Sequence, residues 1–148
     1  MSTAVFESIG HVESPFAEPE DVPRPAADQV QASGTVVIDE NYEPGLLGLD
    51  GFSHVVLVSH LHESTDVRLQ VHPPGLGQTL GIFATSGPAR PNPIGLSIVG
   101  LDSISGCELA VSNLDLIDGT PILDIKPFAP KVRDFSELQT GWMADYDD

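Results

Sequence analysis

Basic residues are scarce in this 148-residue sequence. It has 6 Lys or Arg side chains against 22 Asp or Glu side chains, and its formal net charge at pH 7 is −16. Because proteins bind nucleic-acid phosphates mainly through Lys and Arg, this balance taken alone argues against an RNA partner. We favour a second interpretation, a halophilic acidic protein, since near 1 M salt the Debye length falls to about 3 Å and long-range repulsion largely disappears.

The sequence also lacks a disulfide, a signal peptide and long apolar runs. Its single cysteine, Cys107, excludes an internal disulfide and cannot form a zinc site alone, so we expect a small buried hydrophobic residue. No segment approaches the run of about 18 apolar residues that spans a membrane. The opening residues, MSTAVFESIG, have no basic region followed by an apolar run. These absences predict a cytoplasmic protein without a membrane partner.

Length and patterning predict one domain, residues 1–148, made mainly of strands. Turn signals such as Asp50-Gly51 and Asp118-Gly119 separate short apolar runs. We predict short helices only, at 44–49 and 135–143, and an extended Pro-rich arm at 15–28. The predicted strands are 5–13, 34–39, 54–62, 67–72, 80–84, 96–103, 108–114 and 122–126. Eight short strands favour a barrel or a sandwich.

The segment PARPNPIG, residues 88–95, predicts a stiff loop around Arg90 and Asn92. Each proline fixes its own φ and disfavours helix in the preceding residue, so few shapes are accessible. Arg90 and Lys126 are scarce cations inside Pro/Gly-rich segments, and we predict that they contact an anion or a carboxylate. The alternative is that they pair with neighbouring acids such as Asp118 or Asp124.

Two longer motifs resemble the tRNA methyltransferase O family, also called the TsaA-like family. They are GIFATSGPARPNPIGLSIV (81–99) and LDLIDGTPILDIKPFAP (114–130), and IGHVESPF (9–16), VPR (22–24) and GFSHVVLVSHLHES (51–64) resemble the family in the same order. The resemblance covers most of the chain. It implies a mainly β fold, a single compact antiparallel β-barrel with short helices that dimerises and binds S-adenosylmethionine. The sequence has no strand followed by G-x-G-x-x-G and a helix, so nothing in it predicts a Rossmann-type domain instead.

The activity that the resemblance implies is N6-methylation of adenosine 37 in tRNA that already carries an N6-threonylcarbamoyl group. That nitrogen is conjugated with the purine and a carbonyl, so a hydrogen-bond acceptor or base must face its N–H as the methyl group approaches. Our candidates are Asn92, held between two prolines, and Asp118, at an Asp-Gly turn. The alternative for each is hydrogen bonding within its own loop.

The resemblance also implies the binding residues. Arg24, Arg90 and Lys126 are the candidates for the threonyl carboxylate and the phosphates. No metal is expected, because nothing completes a ligand set with His60 and His62. The candidate cofactor contacts, mostly through the backbone, are His62, Glu63, Leu96, Asp115, Leu116, Ile117 and Asp118.

The sequence departs from the family pattern in three places. Ser86 and Gly87 replace an arginine and a serine, and Pro25-Ala26-Ala27 replaces QPG after VPR. The chain also ends soon after the second motif, which predicts a short core form without an RNA-grasping extension. These departures leave open an S-adenosylmethionine-binding protein with a different acceptor or a sensing role. They also leave open an acidic interaction module, although such a module has no reason to keep Arg90, Asn92, Asp118 and Lys126 together.

Overall fold

The fold is a closed antiparallel barrel, seen in a computed structural model that describes residues 2–22, 32–130, 136 and 138–145. The barrel order is β1-β2-β7-β6-β3-β8, with β8 pairing back to β1, while β4 and β5 form a separate two-stranded sheet. The predicted barrel is therefore confirmed. The strands are β1 (Gly10–Glu13), β2 (Ser33–Ile38), β3 (His54–His60), β4 (Gln70–Val71), β5 (Leu80–Gly81), β6 (Ile94–Ser105), β7 (Glu108–Ser112) and β8 (Pro121–Pro127).

The barrel closes because alternate residues of its strands point inward. In β3, for example, Val55, Leu57 and Ser59 are buried while His54 and His60 are exposed. Each buried aliphatic side chain contributes about 1.5–3 kcal/mol relative to exposure in water. The core consists of Val12, Val36, Ile38, Val55, Leu57, Val99, Leu109, Val111, Leu114, Leu116 and Ile122.

The connection between β7 and β8 closes one end of the barrel, which we call the loop end. Here β1, β3 and β7 finish and β2, β6 and β8 begin. Leu114 enters the core from this connection, and its N–H donates to the Ala32 carbonyl at 3.0 Å. A Cβ at Gly34 would overlap the Leu114 side chain and lie 2.6 Å from the Glu13 carbonyl oxygen. Only a glycine at position 34, which has no Cβ, leaves room for the Leu114 side chain and the Glu13 carbonyl.

Three predicted strands are shorter by three residues or more than the sequence pattern indicated. Residues 2–9 form no strand: Val5 and Phe6 are 88% and 71% exposed, and of these residues Ile9 bonds to a neighbouring strand, its N–H donating to the Ile122 carbonyl at 2.8 Å. The strands predicted at 67–72 and 80–84 reduce to two residue pairs between β4 and β5. Pro73 lies two residues after the end of β4 at Val71 and has no N–H to donate to a ladder hydrogen bond. Residues Ile82–Ala84 form a 3₁₀ helix instead.

The described helices are all 3₁₀ helices, and two of them cover the end of the barrel opposite the loop end. These two are Glu40–Leu46 and Leu49–Gly51, so the helix predicted at 44–49 is interrupted. In the described residues, the predicted helix 135–143 is represented by Gly141–Asp145, and the predicted arm by residues 15–22 with the short helix Pro19–Asp21. None of the described helices has the length and apolar character needed to cross a membrane.

Cys107 is partly buried against the core rather than fully buried. Burial raises the pKa of its thiol, and the carboxylates of Glu43, Glu40 and Asp39 raise that pKa further. Because the thiolate is the nucleophile, we expect iodoacetamide at pH 8 to modify Cys107 more slowly in the folded protein than in urea. Mass spectrometry of timed samples measures both rates, and equal rates would contradict this environment.

Candidate active site

Three segments that contain predicted site residues meet at the loop end. They are residues 61–64 after β3, 88–93 before β6 and 113–120 between β7 and β8. The Leu61 N–H donates to the Pro93 carbonyl at 2.8 Å, which joins the first two segments. The third is adjacent because β8 begins opposite Ser59 in β3. The structure therefore brings His62, Glu63, Asn92 and residues 115–118 to one end of the barrel.

Hydrogen bonds from distant residues fix the segment that contains Asp115 and Leu116. The buried Ser97 hydroxyl donates to Asp115 Oδ1 at 2.6 Å, a short bond typical of a carboxylate acceptor. The Ser14 hydroxyl donates to the Leu116 carbonyl at 2.7 Å, and the Leu116 side chain lies in the core. The Leu116 carbonyl and side chain are therefore occupied, and a ligand would reach this segment through its remaining backbone groups.

Asp118 has the loop role that we considered as its alternative. Its Oδ1 accepts from the Ser14 N–H at 3.0 Å, and its own N–H donates to the Phe16 carbonyl at 2.7 Å. The side chain is exposed, and Oδ2 accepts no hydrogen bond from the described residues. The next turn is closed by the Thr120 hydroxyl, which donates to the Ile117 carbonyl at 2.7 Å. One oxygen of Asp118 is thus fixed and the other is available.

His62 has an unsatisfied ring nitrogen. Its Nδ1 is buried and has no hydrogen-bond partner among the described residues, while Nε2 lies 3.4 Å from Glu63 Oε1. The ring meets that of His60 edge-on, with 6.4 Å between centroids. Buried polar atoms are nearly always hydrogen-bonded, so this nitrogen needs a partner that either a water or a bound ligand would supply.

Asn92 differs from Asp118 because its side chain is free within the described residues. The segment is an irregular loop, as predicted, in which the Arg90 N–H donates to the Pro88 carbonyl at 2.8 Å. The Ile94 N–H donates to the Asn92 carbonyl at 2.7 Å, so the backbone of Asn92 is held while its exposed amide is not. Because the backbone of Asn92 is already fixed, its side chain can meet a methyl acceptor without the entropic cost of ordering the loop.

Arg90 is committed to its own loop. Its Nη1 donates to the carbonyls of Thr85 and Gly87, both at 2.9 Å. These carbonyls flank the exposed Ser86, the position at which the sequence departs from the family. The guanidinium therefore holds the loop together through Nη1, and the predicted contact of Arg90 with substrate stays a prediction.

The two other predicted cations give different outcomes. Lys126 lies on the outer face of β8, and its Nζ pairs with Asp124 Oδ2 at 2.8 Å. This acidic neighbour is one that we named as the alternative partner. Arg24 lies outside the described residues.

We expect Arg90→Ala to lower the free energy of unfolding by about 1–3 kcal/mol, because two half-buried carbonyls lose a charged donor. Lys126→Ala is the matched control, since its pair is exposed and worth about 0–1 kcal/mol. Urea denaturation of both variants measures the difference. Equal stability of Arg90→Ala and wild type would show that Arg90 does not hold the loop.

Leu96 lies on a different surface from Asp115. Its neighbour Ser97 points inward to Asp115, so the Leu96 side chain projects outward from β6 and is 72% exposed. In this chain the Leu96 side chain and the Asp115 carboxylate are on opposite sides of the sheet. The residues around Leu96 form an outer apolar face, consisting of Val56, Val58, Ile94, Leu96 and Ile98.

Sequence reasoning missed Ser14 and Ser97, which hold the 114–118 segment. Ser14 is 104 residues from Asp118, and only its place in the motif IGHVESPF could have indicated a role. Ser97 lies in GLSIV, where an inward-facing serine interrupts an apolar alternation. The described residues contain no group of three His, Cys, Asp or Glu side chains that could hold a metal.

A cavity of about 420 Å³ at the opposite end contains none of the candidate residues. Its lining is mostly apolar, with Tyr42, Leu46 and Phe52 among the contributors. Its one carboxylate, Asp124, already accepts from the Ile125 N–H at 2.9 Å and pairs with Lys126. The loop end is therefore the better candidate, because its polar groups remain available.

This geometry defines a class: small closed antiparallel barrels with a Pro-stiffened Asn loop and an Asp-Gly-Thr-Pro turn at one end, distinct from doubly wound cofactor-binding domains. The chain belongs to the tRNA-methyltransferase O family, because residues 11–134 match the sequence model described as the tRNA-methyltransferase O N-terminal domain.

Relatives of two kinds are similar to this chain. A probable S-adenosyl-L-methionine-binding protein of Pyrococcus abyssi is 40% identical over 93% of this chain and 75% of its own length. The tRNA (adenine(37)-N6)-methyltransferase of Escherichia coli is 38% identical over 96% of this chain and 65% of its own length. The crystal structure of TrmO from Pseudomonas aeruginosa superposes with a TM-score of 0.80 at 34% identity, covering 97% of this chain and 64% of that one. This chain spans slightly less than two thirds of the last two proteins.

Proposed function

We propose that this chain is an S-adenosylmethionine-dependent methyltransferase that acts on N6 of adenosine 37 in tRNA carrying a threonylcarbamoyl group. Family membership and the relatives' names support the cofactor and the tRNA. The observation that carries the proposal is that two polar groups without partners in the described residues, the buried His62 Nδ1 and the exposed Asn92 amide, lie in segments that a backbone hydrogen bond joins. The threonylcarbamoyl requirement rests on the sequence resemblance.

The loop end fits S-adenosylmethionine, which supplies an electrophilic methyl group on a sulfonium cation. Glu63, Asp115 and Asp118 give this end a negative potential that favours a cation. His62 Nδ1 needs a hydrogen-bond partner, and Leu96 offers apolar surface for a nucleoside. The proposed cofactor site therefore consists of His62, Glu63, Leu96, Asp115 and Asp118, with Leu116 and Ile117 as backbone contacts.

The acceptor nitrogen must lose its proton during transfer, and two residues can assist. That nitrogen carries a single N–H. Either Asn92 Oδ1, whose amide has no competing bond within the described residues, accepts a hydrogen bond from it, or Asp118 Oδ2 takes the proton as a base, since Oδ1 of Asp118 is already fixed by the Ser14 N–H. Arg24, Arg90 and Lys126 remain candidates for the acceptor's anionic groups, with Nη1 of Arg90 also holding the loop.

A homodimer would complete this site. The outer apolar face has exposed Ile94, Leu96 and Ile98, and the only charges bordering it on β8 are the balanced pair Lys126 and Asp124. A second copy can pack there without placing like charges together, despite the net charge of −16. It would also bring Leu96 of one copy toward the loop end of the other. Light scattering should give a dimer for wild type and a monomer for Leu96→Glu; a monomeric wild type would contradict the proposal.

We further propose that the protein works in a salty cytoplasm, where screening permits an acidic surface to approach tRNA. The decisive assay uses labelled S-adenosylmethionine in molar KCl with tRNA that has or lacks threonylcarbamoyladenosine. We expect label in the modified tRNA only. Label in neither tRNA, with cofactor binding intact, would overturn the methyltransferase proposal.

That outcome would favour the alternative, an S-adenosylmethionine-binding protein with another acceptor or a sensing role. One observation supports this alternative. The chain covers 96% of an Archaeoglobus fulgidus protein named only for binding S-adenosyl-L-methionine, at 33% identity, but 65% of the Escherichia coli methyltransferase.

A further inference from the structure

A second cavity, of about 330 Å³ and open to solvent, lies beside the loop end, and we call it the Arg68 cavity. Its charged side chains are more than half exposed. Two hydrogen bonds join its sides. The Arg68 N–H donates to the Ala89 carbonyl at 2.9 Å, and the Ser64 hydroxyl donates to the Pro88 carbonyl at 2.8 Å. The cavity is therefore built on the same loop that holds Asn92.

The charged lining of this cavity has both signs. Glu63 and Asp66 contribute carboxylates, and Arg68 contributes a guanidinium. Arg68 Nη2 is 4.0 Å from Asp66 Oδ2, which is too long for a hydrogen bond. The side-chain donors of Arg68 therefore make no hydrogen bond within the described residues, whereas Nη1 of Arg90 donates to two carbonyls and Lys126 is paired at 2.8 Å.

A lining of two carboxylates and one guanidinium suits a zwitterion. The carboxylates can accept an ammonium group, and the guanidinium can bind a carboxylate in bidentate fashion. A ligand with a carboxylate alone, such as the threonylcarbamoyl group with its acylated nitrogen, matches poorly because acids outnumber the arginine. An amino acid with a free ammonium and a free carboxylate matches both the carboxylates and the guanidinium of the cavity.

We propose that the Arg68 cavity holds the α-amino and α-carboxylate groups of S-adenosylmethionine, with Arg68 binding the carboxylate and Glu63 and Asp66 binding the ammonium. This inference rests on the proposed function and adds Arg68 and Asp66 to its cofactor residues. Glu63 connects the cavity to the rest of the site, because Oε1 is 3.4 Å from His62 Nε2. A cofactor whose amino-acid end lies in the cavity then passes the unpartnered His62 Nδ1 on the way to Leu96.

Calorimetry with two ligands tests this placement. One ligand is S-adenosylmethionine, and the other is 5′-methylthioadenosine, which lacks the amino-acid group. Arg68→Gln should weaken binding of the first by about 10- to 100-fold, the range for a hydrogen bond to a charged group, and leave binding of the second within about twofold. Arg68→Lys, which keeps the charge but not the fork, should lie between wild type and Arg68→Gln.

Asp66→Asn should also weaken S-adenosylmethionine selectively, whereas Asp50→Asn, the same charge change at the opposite end of the barrel, should not. Circular dichroism establishes that each variant is folded. Equal affinities of wild type and Arg68→Gln for S-adenosylmethionine, or equal losses for both ligands, would overturn the inference and leave the proposed function standing. A wild type that binds neither ligand would instead overturn the proposed function.

Discussion

Replacing Asn92 with alanine is expected to lower kcat for methyl transfer by about 100-fold or more, the range for loss of one preorganised polar group at a reacting centre. The dissociation constant of S-adenosylmethionine should stay within about twofold. The physical reason is that the Asn92 amide is exposed and unpartnered in the described structure, so its removal disturbs no contact that holds the cofactor segments. Single-turnover kinetics and calorimetry measure the two quantities separately.

The matched control for this experiment is Asn41→Ala. Asn41 is an exposed residue of the 3₁₀ helix Glu40–Leu46 at the opposite end of the barrel, and both quantities should be unchanged. If Asn92→Ala keeps its full kcat, or loses cofactor affinity and rate together, Asn92 does not act on the acceptor.

Leu114→Ala is expected to lower the free energy of unfolding by about 2–5 kcal/mol, as found for large core truncations. Leu114 is fully buried and closes the loop end against Gly34. The cavity would also loosen the adjoining Asp115, so cofactor affinity should fall. Urea denaturation and calorimetry measure the two effects.

Leu47→Ala controls for the loss of the same side chain at the surface, since Leu47 is 94% exposed. Its stability should change by no more than about 0.5 kcal/mol. A loss of less than about 1 kcal/mol in Leu114→Ala would show that the connection between β7 and β8 does not close the barrel.

The barrel could be predicted because inward and outward residues alternate along its strands. The strands predicted at 34–39 and 54–62 agree with β2 and β3 apart from their ends. The strand predicted from Val5 failed for a tertiary reason: β2 ends at Ile38, opposite Gly10, so β2 offers no partner to residues 2–8, and those residues do not pair with the part of β8 that runs on to Pro127. Sequence alternation cannot report the absence of a partner.

The candidate site could be predicted only as a set of positions. The Pro-rich motif located Asn92, but nothing in it indicated that Arg90 would donate to the carbonyls of Thr85 and Gly87. The bond between Ser14 and Asp118 also joins residues that are distant in sequence. Strand parity did contain one constraint: adjacent residues of β6 face opposite sides, so Leu96 and the Ser97–Asp115 bond cannot share a surface.

We propose that the loop end, and not the cavity of about 420 Å³ at the opposite end, binds S-adenosylmethionine. Chemical-shift mapping of backbone amides during titration with the cofactor, in molar KCl, tests it most directly. We expect large chemical-shift changes at His62, Asn92 and residues 115–118, and unchanged shifts at Tyr42 and Phe52. Large shifts at Tyr42, Leu46 and Phe52 with an unchanged loop end would contradict it.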